Sequence, residues 1–80
     1  MSRIQTCYRG GLSRDDPRPG WWIGFRYDVD TIEALKAAIP HTDRAWVKID
    51  QLWWIAREHE AAILRLLPEF EAFQRQAALL

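Results

Sequence analysis

Eighty residues make one small domain, 49% hydrophobic, with five Trp, three Phe and two Tyr, so large side chains must offset an unfavourable surface-to-volume ratio. Eleven basic and eleven acidic residues cancel to a formal net charge of zero, which excludes a global field drawing the chain to nucleic acid or membrane. The lone cysteine, Cys7, excludes an internal disulfide and a cysteine-based zinc site.

Residues 1–8 read as a short strand in which Ile4, Thr6 and Tyr8 alternate with Arg3, Gln5 and Cys7. The stretch 10–20, GGLSRDDPRPG, is rich in residues that break regular structure. Residues 1–20 are therefore expected as a flexible N-terminal strand and loop, and 21–80 as the folded domain. Arg9, Arg14 and Arg18 are expected as solvated loop charges. Residues 21–27, WWIGFRY, have strand composition. Alternation puts Trp21, Ile23, Phe25 and Tyr27 on one face, with Ile23 and Phe25 buried, and Trp22, Gly24 and Arg26 on the other. A glycine in mid-strand, Gly24, signals a bulge or a close backbone approach.

A helix follows over 30–39. Asp30 is the expected N-cap, with Glu33 three residues on. Ile32, Leu35 and Ile39 form the buried stripe, and Pro40 ends the helix because the residue before proline is pushed out of the α region. Residues 44–49 and 52–56 alternate as strands. A two-residue turn at Asp50-Gln51 would set Ile49 opposite Leu52, Lys48 opposite Trp53, Val47 opposite Trp54 and Trp46 opposite Ile55. Asp-Gln is not the favoured turn pair, so a register slipped by one residue or a longer loop stays open within the hairpin, and one continuous helix from Asp50 ranks second to the hairpin.

From Arg57 the period becomes helical. Ala62, Ile63, Leu66 and Leu67 make the apolar stripe of a helix over 58–67, with Glu58, Glu60 and Arg65 facing water. Pro68 interrupts it, and 69–79 forms a further helix whose Phe70, Phe73, Ala77 and Leu80 must dock on the sheet or on a second subunit. The fold class expected is α+β: a small sheet with helices on one face. The connection from the first strand to the hairpin would be right-handed if those strands were parallel neighbours.

The segments FRYDVDTIEALKAAIP and RAWVKIDQLWWIAREHEAAILRLLPEF resemble the HARP-type module of annealing helicases and its small bacterial and phage relatives. The matching positions are Tyr27, Asp28, Ile32, Leu35, Lys36, Ile39, Pro40, Trp46, Trp54 and Leu66, within a stretch covering most of the chain. The resemblance implies a βαββα unit and, in the helicase setting, recognition of branched or single-stranded DNA. It implies no ATPase, because no phosphate-binding Gly-x-x-x-x-Gly-Lys-Ser/Thr loop is present.

With Ala45, Val47, Ile49, Leu52, Trp54 and Ala56 assigned to the core, the hairpin's open face carries Trp46, Lys48, Trp53 and Ile55. Exposed aromatics beside a cation are the ingredients of a base-stacking platform. The candidate nucleic-acid residues are Trp46, Lys48, Trp53, Arg26, Lys36 and Arg44. Phe70, Phe73 and Leu80 are candidates for a homo-oligomer interface, the alternative role. His41 and His59 lack paired-ligand spacing and are expected as solvated histidines. Ser2, Ser13 and Cys7 have no neighbouring base in sequence. The expectation is a non-enzymatic, cofactor-free, cytoplasmic module. No apolar run reaches the ~18 residues of a membrane span, and no hydrophobic signal region opens the chain.

Overall fold

The computed structural model describes residues 3–79. They form an α+β fold whose strands are β1 (Ile4–Arg9), β2 (Gly20–Phe25), β3 (Arg44–Val47) and β4 (Leu52–Ala56). All neighbours are antiparallel, in the order β1-β2-β4-β3. The helices are α1 (Val29–Ala38), α2 (Glu60–Leu66) and α3 (Phe70–Ala78), with short 3-10 turns at His41–Asp43 and Arg57–His59. β4 lies between β2 and β3, so the strands flanking α1 run parallel without being neighbours.

One apolar cluster joins the helices to one face of the sheet. It contains Ile4, Trp21, Ile23, Trp53 and Ile55 from the strands, and Leu35, Ile39, Ala62, Ile63, Leu67 and Phe70 from the helical side. Ile23 is buried as expected, and Phe25 packs partly buried against the cluster. The thiol of Cys7, across from Ile23, is pushed up to about 12 by burial and is a poor nucleophile.

The hairpin loop is longer than the two residues expected. It runs over four, 48–51, closed by the Gln51 amide donating to the Lys48 carbonyl at 3.2 Å, with Gln51 in the left-handed region at φ 53°. The pairs are Val47–Leu52, Trp46–Trp53, Ala45–Trp54 and Arg44–Ile55. This shift is even, so the side chains share faces as expected. What changes is the face that the helices cover. Cross-strand pairing sets Trp21 opposite Ile55 and Ile23 opposite Trp53, so covering the apolar face of β2 draws Trp53 and Ile55 inward. Trp54 lies on the other face and is nonetheless fully buried.

The N-terminal loop supplies that cover. The Trp54 indole donates to the Gly10 carbonyl at 3.0 Å and the Trp22 indole to the Gly11 carbonyl at 3.1 Å. The Arg18 guanidinium lies 5.2 Å from the centre of the Trp54 ring. β1 is an integral edge strand, and the loop after it is tied to the sheet. A bulge between Ile4 and Thr6 sits across from Phe25 and Gly24. A Cβ on Gly24 would lie 2.9 Å from Leu52 Cδ2, the close approach that glycine permits.

Three local expectations are corrected. Asp28, not Asp30, caps α1: its carboxylate accepts from the amides of Asp30 and Thr31 and from the Thr31 hydroxyl, which holds it below the usual carboxylate range, the hydroxyl contributing most. Glu60 is only partly exposed and is tied inward, accepting from the indole of Trp21 at 2.9 Å and from Gln74 at 3.1 Å. Phe70 is fully buried, edge-on to Trp21 at 4.8 Å, and Phe73 packs partly buried beside it. Leu80 falls outside the described residues.

Candidate functional site

Two hollows on the surface meet at Trp46. Trp46 stands on β3, an edge strand, and is half exposed. Its indole packs against Trp53 with ring centres 5.2 Å apart and planes 44° to each other. Trp53 is only 7% exposed. It is the floor that sets the angle of Trp46 and offers little surface for stacking, which corrects its expected role.

Two adjoining hollows share Trp46, Trp53, Tyr27 and Ile32 as walls. The first, about 500 Å³, extends between α1 and β3 to Lys36 and Arg44, with Val29 and Glu33 also on its rim. The second, about 410 Å³, extends the other way past Arg26 to Asp50 and Gln51 of the hairpin loop. Together they make a groove along the β3 end of the sheet, with a hairpin tip at one end and a helix terminus at the other. Of the residues expected at a nucleic-acid surface, Trp46, Trp53, Arg26, Lys36 and Arg44 line this groove. Lys48 lines neither hollow and sits exposed in the hairpin loop.

The cations here differ in kind from most of the others. Arg3 is paired with Glu69, Arg18 with Asp16 and Asp43, Arg57 with Glu60, and Arg75 with Glu71. Among the described residues, Arg26, Lys36, Lys48 and Arg44 form no ion pair; Arg44 donates through Nε to the Ile39 carbonyl at 2.9 Å, which fixes the side chain while leaving its charge unneutralised. Glu33 is the acid on the groove rim and Asp50 the acid at the tip. They leave a net positive balance between them.

Two exposed side chains in this groove, Tyr27 and Val29, were not singled out as site residues from the sequence. Tyr27 is 79% exposed. The signal for it was present: it lies two residues past the end of β2 and directly before the Asp28 cap, where the chain leaves the sheet and an aromatic finds no core to enter.

A second cluster brings Asp43 and His59 together with Glu58, their ligand-type atoms within 4.8 Å of one another. His59 Nε2 lies 2.9 Å from one oxygen of Asp43, and Arg18 donates to the other at 3.1 Å. His59 is thus a partly buried, paired side chain and not a solvated one. Both Asp43 oxygens are occupied, and His59 first and Arg18 second hold its carboxyl below the usual range. A cation would have to displace Arg18, which also donates to the Thr42 carbonyl at 2.9 Å. The arrangement is an electrostatic tie between the N-terminal loop and the turns flanking β3 and α2.

No protein-family model, curated protein or solved structure matches this chain.

Proposed function

We propose that this domain is a non-enzymatic accessory module that binds single-stranded or branched DNA along the groove centred on Trp46. The observation that carries this reading is the coincidence, in one groove, of a half-exposed indole with three cations, Arg26, Lys36 and Arg44, that form no ion pair among the described residues. Tyr27 and Trp46 offer ring faces to unpaired bases, each stack contributing about 1–3 kcal/mol. Lys36 and Arg44 at one end, with Arg26 towards the other, receive phosphates. The likeness of this stretch to the HARP-type module supports the same reading.

A neutral chain with a few phosphate contacts binds weakly and through local charge. Fluorescence anisotropy with labelled single-stranded and forked oligonucleotides in low salt is the test. Expected is micromolar affinity that falls with salt at a log–log slope of about −2 to −3, since each single-strand phosphate contact contributes about −0.7. Trp46→Ala is expected to weaken binding by about tenfold, the equivalent of ~1.4 kcal/mol. Absence of binding, or an unchanged affinity in Trp46→Ala, refutes the reading.

A second reading, a protein-interaction or self-association module, draws on the position of β3. It is an edge strand beside an apolar groove, open to an extended segment from another chain. Light scattering over a range of concentrations tests the self-association form: a constant monomer mass excludes it.

A further inference from the structure

The two edges of the sheet are finished differently. β1 is shielded: a bulge breaks its register between Ile4 and Thr6, Arg9 donates to the Ala77 carbonyl of α3, and Arg3, just ahead of the strand, is tied to Glu69. β3 has no such shield. Its register with β4 is unbroken, and among the described residues the main chain of 44–47 makes no hydrogen bond outside that pairing. Its outward N–H and C=O groups form a template for a further strand. Beside this edge, α1 presents a face with nothing beneath it. Val29, Ile32 and Lys36 fall at i, i+3 and i+7, on one side of the helix, and line one hollow with Arg44 and Trp46 of β3. Val29 is over half exposed and Trp46 nearly half. A strand added about 4.8 Å from β3 runs along that hollow and closes over these side chains.

We propose that β3 accepts an extended acidic segment of a partner protein as a fifth, antiparallel strand, and that Lys36 and Arg44 read its acid. The proposal rests on the second reading of the groove, as a protein-interaction surface, and gives that reading a partner chemistry. Charge decides the occupant. Lys36 and Arg44 form no ion pair among the described residues, and Glu33 alone opposes them among the residues lining this hollow. A carboxylate on the added strand supplies the missing counter-charge through charge-assisted hydrogen bonds. A second copy's β3, with the sequence RAWV, brings no acid and repeats the positive charge. Arg44 and Trp46 stand two residues apart on one face, a separation of about 7 Å. In antiparallel pairing the segment therefore sets an aliphatic residue opposite Trp46 and, two positions later, an Asp or Glu opposite Arg44. The aliphatic group packs on the indole beside Val29 and Ile32. Because the segment takes the Trp46 ring and both cations, it and a DNA strand exclude each other from this end of the groove.

The test uses the full chain and a fluorescein-labelled peptide, Thr-Thr-Leu-Thr-Glu-Thr-Thr, beside a control with Gln in place of Glu. By anisotropy the acidic peptide is expected to bind about tenfold more tightly than the control. Lys36→Gln should weaken the acidic peptide by about threefold and leave the control unchanged, the coupling that a direct contact produces. Lys36 is exposed, so the substitution does not disturb the core. With the acidic peptide bound, hydrogen exchange should slow at outward-facing amides of 44–47 and stay unchanged in β1. Equal binding of the two peptides overturns the acidic partner and leaves an edge open to other segments. Binding without slowed exchange at 44–47 overturns strand addition. Absence of binding to either peptide overturns the proposal together with the reading of β3 as a strand acceptor, and a free chain that is already a dimer in light scattering then assigns the edge to a second copy. Oligonucleotide binding, scored separately on the same chain, bears on the DNA reading alone.

Discussion

Trp54 is enclosed on every side, and the residue that makes this feasible is Gly20. A Cβ there would run into the Trp54 indole itself, a rigid ring already fixed by its hydrogen bond to the Gly10 carbonyl and by Arg18 above it. Gly20→Ala should therefore destabilise the fold by about 2–3 kcal/mol, as overpacking of a rigid core does. Gly24 presents the opposite case. The atom nearest a Cβ at that position is the terminal methyl of Leu52, at 2.9 Å, which can rotate away. Gly24→Ala should cost under about 1 kcal/mol by the same principle. Urea midpoints of the two variants separate the cases, and equal losses would mean that the Trp54 ring is not held as described.

Between elements, a polar tie of four hydrogen bonds runs from Arg3, the residue before β1, to the segment from the end of α2 to the start of α3. The Arg3 backbone amide and guanidinium both donate to Glu69, and the guanidinium reaches the Leu66 carbonyl. The Arg3 hydrogen bond is the main reason that Glu69 is held down at about 2. A depressed carboxyl contributes stability that is complete above its unfolded value, near 4.5, and is lost as pH falls towards 2. Because Arg3 is 41% exposed and Glu69 23%, solvent screening limits the contribution to about 1 kcal/mol. The urea midpoint of Glu69→Gln should lie below wild type at pH 7, and the gap should close by about pH 2. A gap independent of pH would assign the loss to packing. Such ties join residues more than sixty positions apart, and no local pattern announces them. Element identity was legible because periodicity is local: the helix stripe of Leu35 and Ile39 and the burial of Ile23 follow from spacing alone. The inward face of β4 was not, because β4 is buried on both sides. Residues 53–56 are all buried, and a strand covered twice loses the alternation that marks an inner face.

For the molecule as a whole, the decisive question is where the apolar C-terminal segment goes. Its stripe read equally well as a sheet-docking helix or as a handle for a second subunit, since both need the same spacing. Here α3 closes the fold on its own sheet: Phe70 has no exposed surface and meets Trp21 edge-on, Phe73 and Ala77 pack against the same cluster, and Arg9 on β1 donates to the Ala77 carbonyl at 3.0 Å. The groove, by contrast, assembles from β2, α1, β3 and the hairpin loop, so only the chemistry of Trp46 and its cations was visible before the fold united them. Separating these two regions physically is the clearest test of the architecture. Phe70→Ala should lower stability by about 3–5 kcal/mol, the usual range for removing a buried aromatic. Truncation after Pro68 should abolish the near-ultraviolet circular dichroism of the packed tryptophans, because a domain this small has little stability in reserve. Under conditions where Phe70→Ala remains folded, its oligonucleotide affinity should match wild type, since α3 contributes nothing to the groove. A truncated chain that keeps its tertiary signal and changes only its mass in light scattering would instead identify α3 as an assembly element.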